Sequence, residues 1–167
     1  ENELDTILHY PLFTNWLNVG GQIIPEEKIN SLFTMIKNHE IEQAIQYLQE
    51  AIALDPEYME AILVLMSIYS KEENFNEIIT LYEHISSQDF DWTALYPYVA
   101  EAYDKEEEFK KAYEMYSAAY VDFKEDSAFL EKYCYFLIED GKQEQAKEIA
   151  QQLVALNPTE QQYIELL

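Results

Sequence analysis

Ala112-Tyr-Glu-Met-Tyr116-Ser-Ala-Ala119 decides the fold. Its small, large and small residues stand four and then three positions apart, the spacing that puts side chains on one face of an α-helix. The same rhythm occurs as Ala44-x3-Leu48-x2-Ala51, Ile78-x3-Tyr82-x2-Ile85 and Ala146-x3-Ala150-x2-Leu153. The copies begin at 44, 78, 112 and 146, each 34 residues after the one before. A second helical pattern lies upstream of each: Ile62-x2-Leu65-Met66-x2-Tyr69, Tyr96-x2-Val99-Ala100-x2-Tyr103 and Leu130-x2-Tyr133-Cys134-x2-Leu137. In the first unit, Ile29-x2-Leu32-Phe33-x2-Ile36 fits with an inter-helix turn one residue shorter.

Two amphipathic helices per 34 residues, repeated in register, predict stacked helical hairpins. One hairpin has two apolar faces and cannot bury both, so neighbours must cover them. Ala100, Ala112 and Ala119 are small enough to let helix axes approach closely. Asp140-Gly141 and Asp55-Pro56 supply turn chemistry. Only 3 Gly and 5 Pro occur in 167 residues, so the punctuation of a many-stranded protein is missing.

Composition narrows function. The chain carries 33 acids against 10 bases, all of them Lys, for a net charge of −23. Phosphate neutralisation needs the opposite balance, which excludes nucleic acid and an anionic membrane surface as partners. No apolar run reaches the ~18 residues of a membrane span. Cys134 is the only cysteine, so no intrachain disulfide forms, and a reducing, cytoplasmic location is expected. His9, His39 and His84 lack metal-ligand spacing with Cys134, so no metal or other cofactor is expected. No phosphate-binding loop, nucleophile elbow or zinc-protease motif occurs, and acid pairs such as Glu72-Glu73 read as solvated turns; an enzyme is not expected.

A 34-residue helix–turn–helix with this pattern resembles the tetratricopeptide repeat. The likeness spans 25–160 as four units, 25–58, 59–92, 93–126 and 127–160. Phe90 and Lys124 depart from it where a repeat usually ends in Pro, and Ile78 and Ala150 exchange large and small positions. The implied fold is an all-α solenoid of four repeats with terminal capping segments. Residues 1–24, rich in Leu4, Ile7, Leu8, Leu12, Phe13, Trp16 and Leu17, are read as a docking cap ending at Gly20-Gly21. The alternative is the tail of an upstream domain. The start lacks Met and any signal pattern, as an excised fragment or mature form would. Residues 161–167 open a further helix, with Ile164 and Leu167 in its first two apolar positions, as a cap or a fifth repeat.

The resemblance also implies a function. Members of the family hold a peptide or protein segment in a concave groove lined by the second, fifth, sixth and ninth positions of each first helix. Here those positions are Glu60, Leu63, Val64 and Ser67, then Ala94, Pro97, Tyr98 and Glu101, then Ala128, Glu131, Lys132 and Tyr135. The first unit contributes Asn30, Ser31 and Thr34. The implied groove is partly apolar, partly aromatic and mildly acidic, and suits an apolar partner with some positive charge. The basic clamp that some members use for acidic chaperone tails is absent. The expected role is a protein-interaction scaffold. The alternatives are a regulatory or targeting domain of a larger enzyme or chaperone, and a bacterial signalling-peptide sensor. Homodimerisation through the terminal segments is a further possibility if they leave apolar faces uncovered. The Lys-, Glu- and Ile-rich composition resembles that of a low-GC bacterium.

Overall fold

The computed structural model describes residues 41–166, and the expectations for 1–40 and for Leu167 lie outside them. These residues fall into two units divided after Asp55. In the first unit, α1 (Ile41–Leu54) buries Ala44, Leu48 and Ile52, which recur every fourth residue along one face.

The second unit is an α-solenoid of helical hairpins, with no strand among the described residues. Residues 59–92 hold α2 (Met59–Lys71) and α3 (Phe75–Ile85). Residues 93–126 hold a 3-10 turn (Thr93–Leu95), α4 (Tyr96–Lys105) and α5 (Phe109–Phe123). Residues 127–160 hold α6 (Ser127–Glu139) and α7 (Gln143–Leu156), and α8 (Gln161–Ile164) follows. Pro97 sits in the first turn of α4, where its missing N–H breaks no helical bond. Asp126 caps α6, its carboxylate accepting from the Phe129 N–H at 3.0 Å.

The three hairpins turn in the same way. The eighth and twentieth residues of each repeat are Met66 and Ile78, Ala100 and Ala112, and Cys134 and Ala146. All six are buried. Where both are small the helices run at close quarters, as α4 with α5 and α6 with α7, whereas α2 and α3 meet more loosely. The Cys134 thiol donates to the Ala146 carbonyl at 3.4 Å, which requires one helix surface to reach the other's backbone.

Each first helix ends in an identical six-residue closure. Asn74 N–H bonds Tyr69 O, Glu108 N–H bonds Tyr103 O, and Lys142 N–H bonds Leu137 O, all at 2.8 Å. Inside each, a second bond links Glu73 to Ser70, Glu107 to Asp104 and Gly141 to Ile138. This pattern satisfies the orphan carbonyls at a helix C-terminus and needs one left-handed residue. That residue has φ +56° at Glu73, +61° at Glu107 and +74° at Gly141. Glycine occupies the position without strain only in the last hairpin.

Two departures from the sequence expectation have local causes. α3 stops at Ile85, whereas α5 continues past the equivalent Ala119 to Phe123. The Ser86-Ser87-Gln88-Asp89 run offers hydrogen-bonding side chains that compete with a helix. Beyond it Trp92 is buried, packs at a tilt against Phe90 with ring centroids 4.7 Å apart and donates its indole N–H to Gln88 O at 3.4 Å. This aromatic clasp stands where a Pro was expected. At the C-terminus, Tyr163 is buried and Ile164 exposed, contrary to the expectation that Ile164 is a core position. The equivalent Leu130 is buried in a hairpin with α7, and α8 has no hairpin partner among the described residues.

The strained left-handed residues give a paired test. A non-glycine residue there costs about 1–2 kcal/mol, partly offset by the flexibility glycine adds to the unfolded chain. Glu107→Gly should therefore stabilise the fold by ~0.5–1 kcal/mol in urea denaturation. No atom lies within 4 Å of a Cβ built on Gly141, so Gly141→Ala should destabilise by ~1 kcal/mol through backbone strain alone.

Candidate functional site

Three first helices, α2, α4 and α6, stand side by side in the second unit. Polar bonds cross them in one line. Ser70 Oγ on α2 donates to Glu101 Oε2 on α4 at 3.3 Å, and Lys132 Nζ on α6 donates to the same oxygen at 2.7 Å. Glu101 and Lys132 were expected on this wall and are in direct contact. Ser70 was not expected there. It lies one turn beyond Ser67, and extending the expected lining by three positions would have found it.

The other expected residues divide by exposure. Val64 and Ser67 are 7% and 6% exposed, and Ser67 Oγ donates back to Val64 O at 2.9 Å, so both present little surface. Glu60 and Leu63 are half-buried on α2. Ala94 is exposed in the 3-10 turn, and Pro97 and Tyr98 are half-buried on α4. On α6, Ala128 is exposed and Glu131 half-buried, while Tyr135 keeps 45% of its surface. Glu131 accepts from Tyr163 OH at 3.2 Å, which ties α8 to the wall. Asn30, Ser31 and Thr34 lie outside the described residues.

The acidic character deepens toward the C-terminal ends of the first helices. Burial pushes the Asp104 carboxyl above its ordinary value; Lys105 pulls it back, while Glu139, Glu101 and Asp140 push it further up. Lys142 bonds Asp140 and lies over the Tyr113 ring at 4.3 Å, which removes one cation from this end. Beneath the wall, Tyr116 stacks on Tyr133 with ring centroids 5.2 Å apart and packs against Phe136 at 5.0 Å. These rings give the polar line a rigid floor. Burial also raises the Cys134 thiol, which disfavours the thiolate a nucleophile needs. Among the described residues, no group of three His, Cys, Asp or Glu could hold a metal ion.

A family model for YpiA-like, C-terminal tetratricopeptide repeats matches residues 95–160. TPR repeat-containing protein YpiA of Bacillus subtilis (strain 168) is 34% identical over 116 residues. In sequence and fold the chain is similar to tetratricopeptide-repeat proteins. The YpiA match takes in 70% of this chain and 27% of the relative, so the chain spans about a quarter of that protein's length. Among solved structures, YrrB, a TPR protein described as having an unusual peptide-binding site, superimposes with a TM-score of 0.69. That match covers 93% of this chain and 77% of YrrB at 17% identity. MamA 41-end from Desulfovibrio magneticus RS-1 gives a TM-score of 0.68 over 80% of this chain and 76% of that one, at 16% identity. At such identities the likeness is one of fold. Tetratricopeptide repeats generally mediate protein–protein interaction and are typically non-enzymatic scaffolds.

The Asp104 environment has a pH signature. A carboxyl raised in the folded state favours folding when protonated and opposes it when ionised. Asp104→Asn should therefore stabilise the protein at pH 7. The gain should shrink as pH falls through the raised value and vanish below 3.8, the group's ordinary value. Chemical denaturation of both proteins from pH 8 to pH 3 measures it.

Proposed function

We propose that the wall of α2, α4 and α6 binds an extended or helical peptide segment of another protein, apolar at its anchors and carrying some positive charge. The observation that carries this reading is Tyr135, a large aromatic left 45% exposed on a first helix, one turn from the Glu101–Lys132 pair. Aromatic side chains on a rigid element bury much area with little loss of freedom, which suits them to anchor a partner. Leu63 and Tyr98 extend the apolar character, and Glu60, Glu101 and Glu131 favour a ligand with Lys or Arg. Val64 and Ser67 serve as support beneath the contact surface. The net charge of −23 extends the same preference to long range, speeding the approach of a basic partner. The peptide-binding site named for YrrB supports a peptide ligand on this fold.

The match to about a quarter of YpiA favours a second reading at a higher level. In it, this unit is the interaction module of a longer protein and directs the activity of whatever else that protein contains. The two are compatible, because the wall would do the recognition in either case.

A partner captured by the intact chain tests the proposal. The double variant Tyr98→Ala plus Tyr135→Ala should keep the helical circular dichroism of the parent. It should weaken partner binding by at least about tenfold, mainly through faster dissociation. A folded double variant that binds as tightly as the parent would move the site to another surface.

A further inference from the structure

We infer that Glu101 is an arginine-recognition point within this wall and that Lys132 is its internal competitor; the inference rests on the peptide-binding reading above. The Glu101 side chain is 15% exposed, so its charge is largely withdrawn from water. Both hydrogen bonds it receives, from Ser70 and from Lys132, end on Oε2. The carboxylate is thus engaged through one oxygen by a hydroxyl and an ammonium. Lys132 is 52% exposed, with its stem half in water, so releasing it to solvent costs little.

A lysine ammonium is a point donor, whereas a guanidinium presents a planar fork that bonds both carboxylate oxygens at once. An incoming lysine would exchange one ammonium for another with no gain in bonding. An incoming arginine would take Oε2 from Lys132 and add Oε1. Tyr98 lies one turn before Glu101 on α4, and Tyr135 lies one turn after Lys132 on α6. Both rings stand on the helices that carry the pair, and Tyr135, 45% exposed, is an aromatic on which a guanidinium plane can stack. The chain contains no Arg, so no internal guanidinium competes for the point. Among the wall acids of the described residues, Glu101 is the one bonded to two other first helices, whereas Glu131 accepts from the Tyr163 hydroxyl on α8. Among the described residues, Lys132–Glu101 is the ion pair that joins two first helices, so its exchange for a ligand cation would be felt by both.

The probes are N-acetyl-arginine amide and N-acetyl-lysine amide, titrated separately into the whole chain and followed by backbone amide NMR. The arginine probe should shift the Ser70, Glu101 and Lys132 amides saturably and bind several-fold more tightly than the lysine probe. Lys132→Gln should tighten the arginine probe by about two- to fivefold, the size of a partly exposed ion pair. Glu101→Gln should abolish the difference between probes. Equal affinity for the two probes, shifts clustered elsewhere, or no tightening in Lys132→Gln would overturn the inference. Failure here is separable from failure of the peptide-binding reading. A partner that loses affinity in the Tyr98/Tyr135 double variant yet shows no arginine preference removes only the recognition point. A partner indifferent to that double variant removes the wall itself, whatever the probes do.

Discussion

The structure depends on how closely two helices of one hairpin can approach. Where the eighth and twentieth residues of a repeat are Ala100 and Ala112, or Cys134 and Ala146, all are buried and the two helices are in extensive contact. The Cys134 thiol then touches the Ala146 backbone at 3.4 Å. Stacking of the hairpins brings a serine, a glutamate and a lysine from α2, α4 and α6 to one oxygen, across the looser α2–α3 hairpin as well as the tighter α4–α5 one. Met66 and Ile78 are both large and buried at the same positions, and the contact between α2 and α3 is looser.

Repetition then does two further jobs. The same six-residue closure ends all three first helices, so each second helix follows the same hydrogen-bonded turn whether or not glycine is present. Side chains about one repeat apart bridge neighbouring hairpins, Gln145 to Tyr113 at 3.1 Å and Gln152 to Tyr120 at 2.5 Å, while Asn157 to Ser127 at 2.7 Å closes the last hairpin on itself. Each such bond contributes only about 0.5–1.5 kcal/mol net, but a row of them fixes the register of one hairpin on the next. A solenoid gains its stability from such nearest-neighbour terms, and a wall held from behind in this way presents its side chains with little freedom to lose on binding.

Much of this was legible in the sequence because periodicity is a backbone property. Four copies spaced by 34 residues dictate helices, hairpins and stacking, and the buried residues Leu65, Tyr69, Ile78, Val99, Leu130 and Leu153 lie on the expected faces. Details set by side-chain competition were not legible. The early end of α3 depends on a Ser/Asp run and on where Trp92 finds a pocket. Ile164 follows the repeat in sequence, but burial there depends on a partner helix and not on register. Turn strain was hidden too, since Glu73 and Glu107 give no hint of the left-handed backbone that Gly141 announces. At the wall, the resemblance supplied positions but not depth: it named Val64 and Ser67, which are buried, and stopped one turn short of Ser70 and Asp104.

The central claim, that small pairs set how closely the two helices of a hairpin approach, is tested most directly at Ala112. Isoleucine is the natural residue at the equivalent position one repeat earlier, so Ala112→Ile changes size without changing helix face or polarity. Overpacking a close-fitting site typically costs about 1–3 kcal/mol, and the account predicts a loss of that size in equilibrium urea denaturation. Unchanged or increased stability would contradict it, because the α4–α5 hairpin would then have had room to spare.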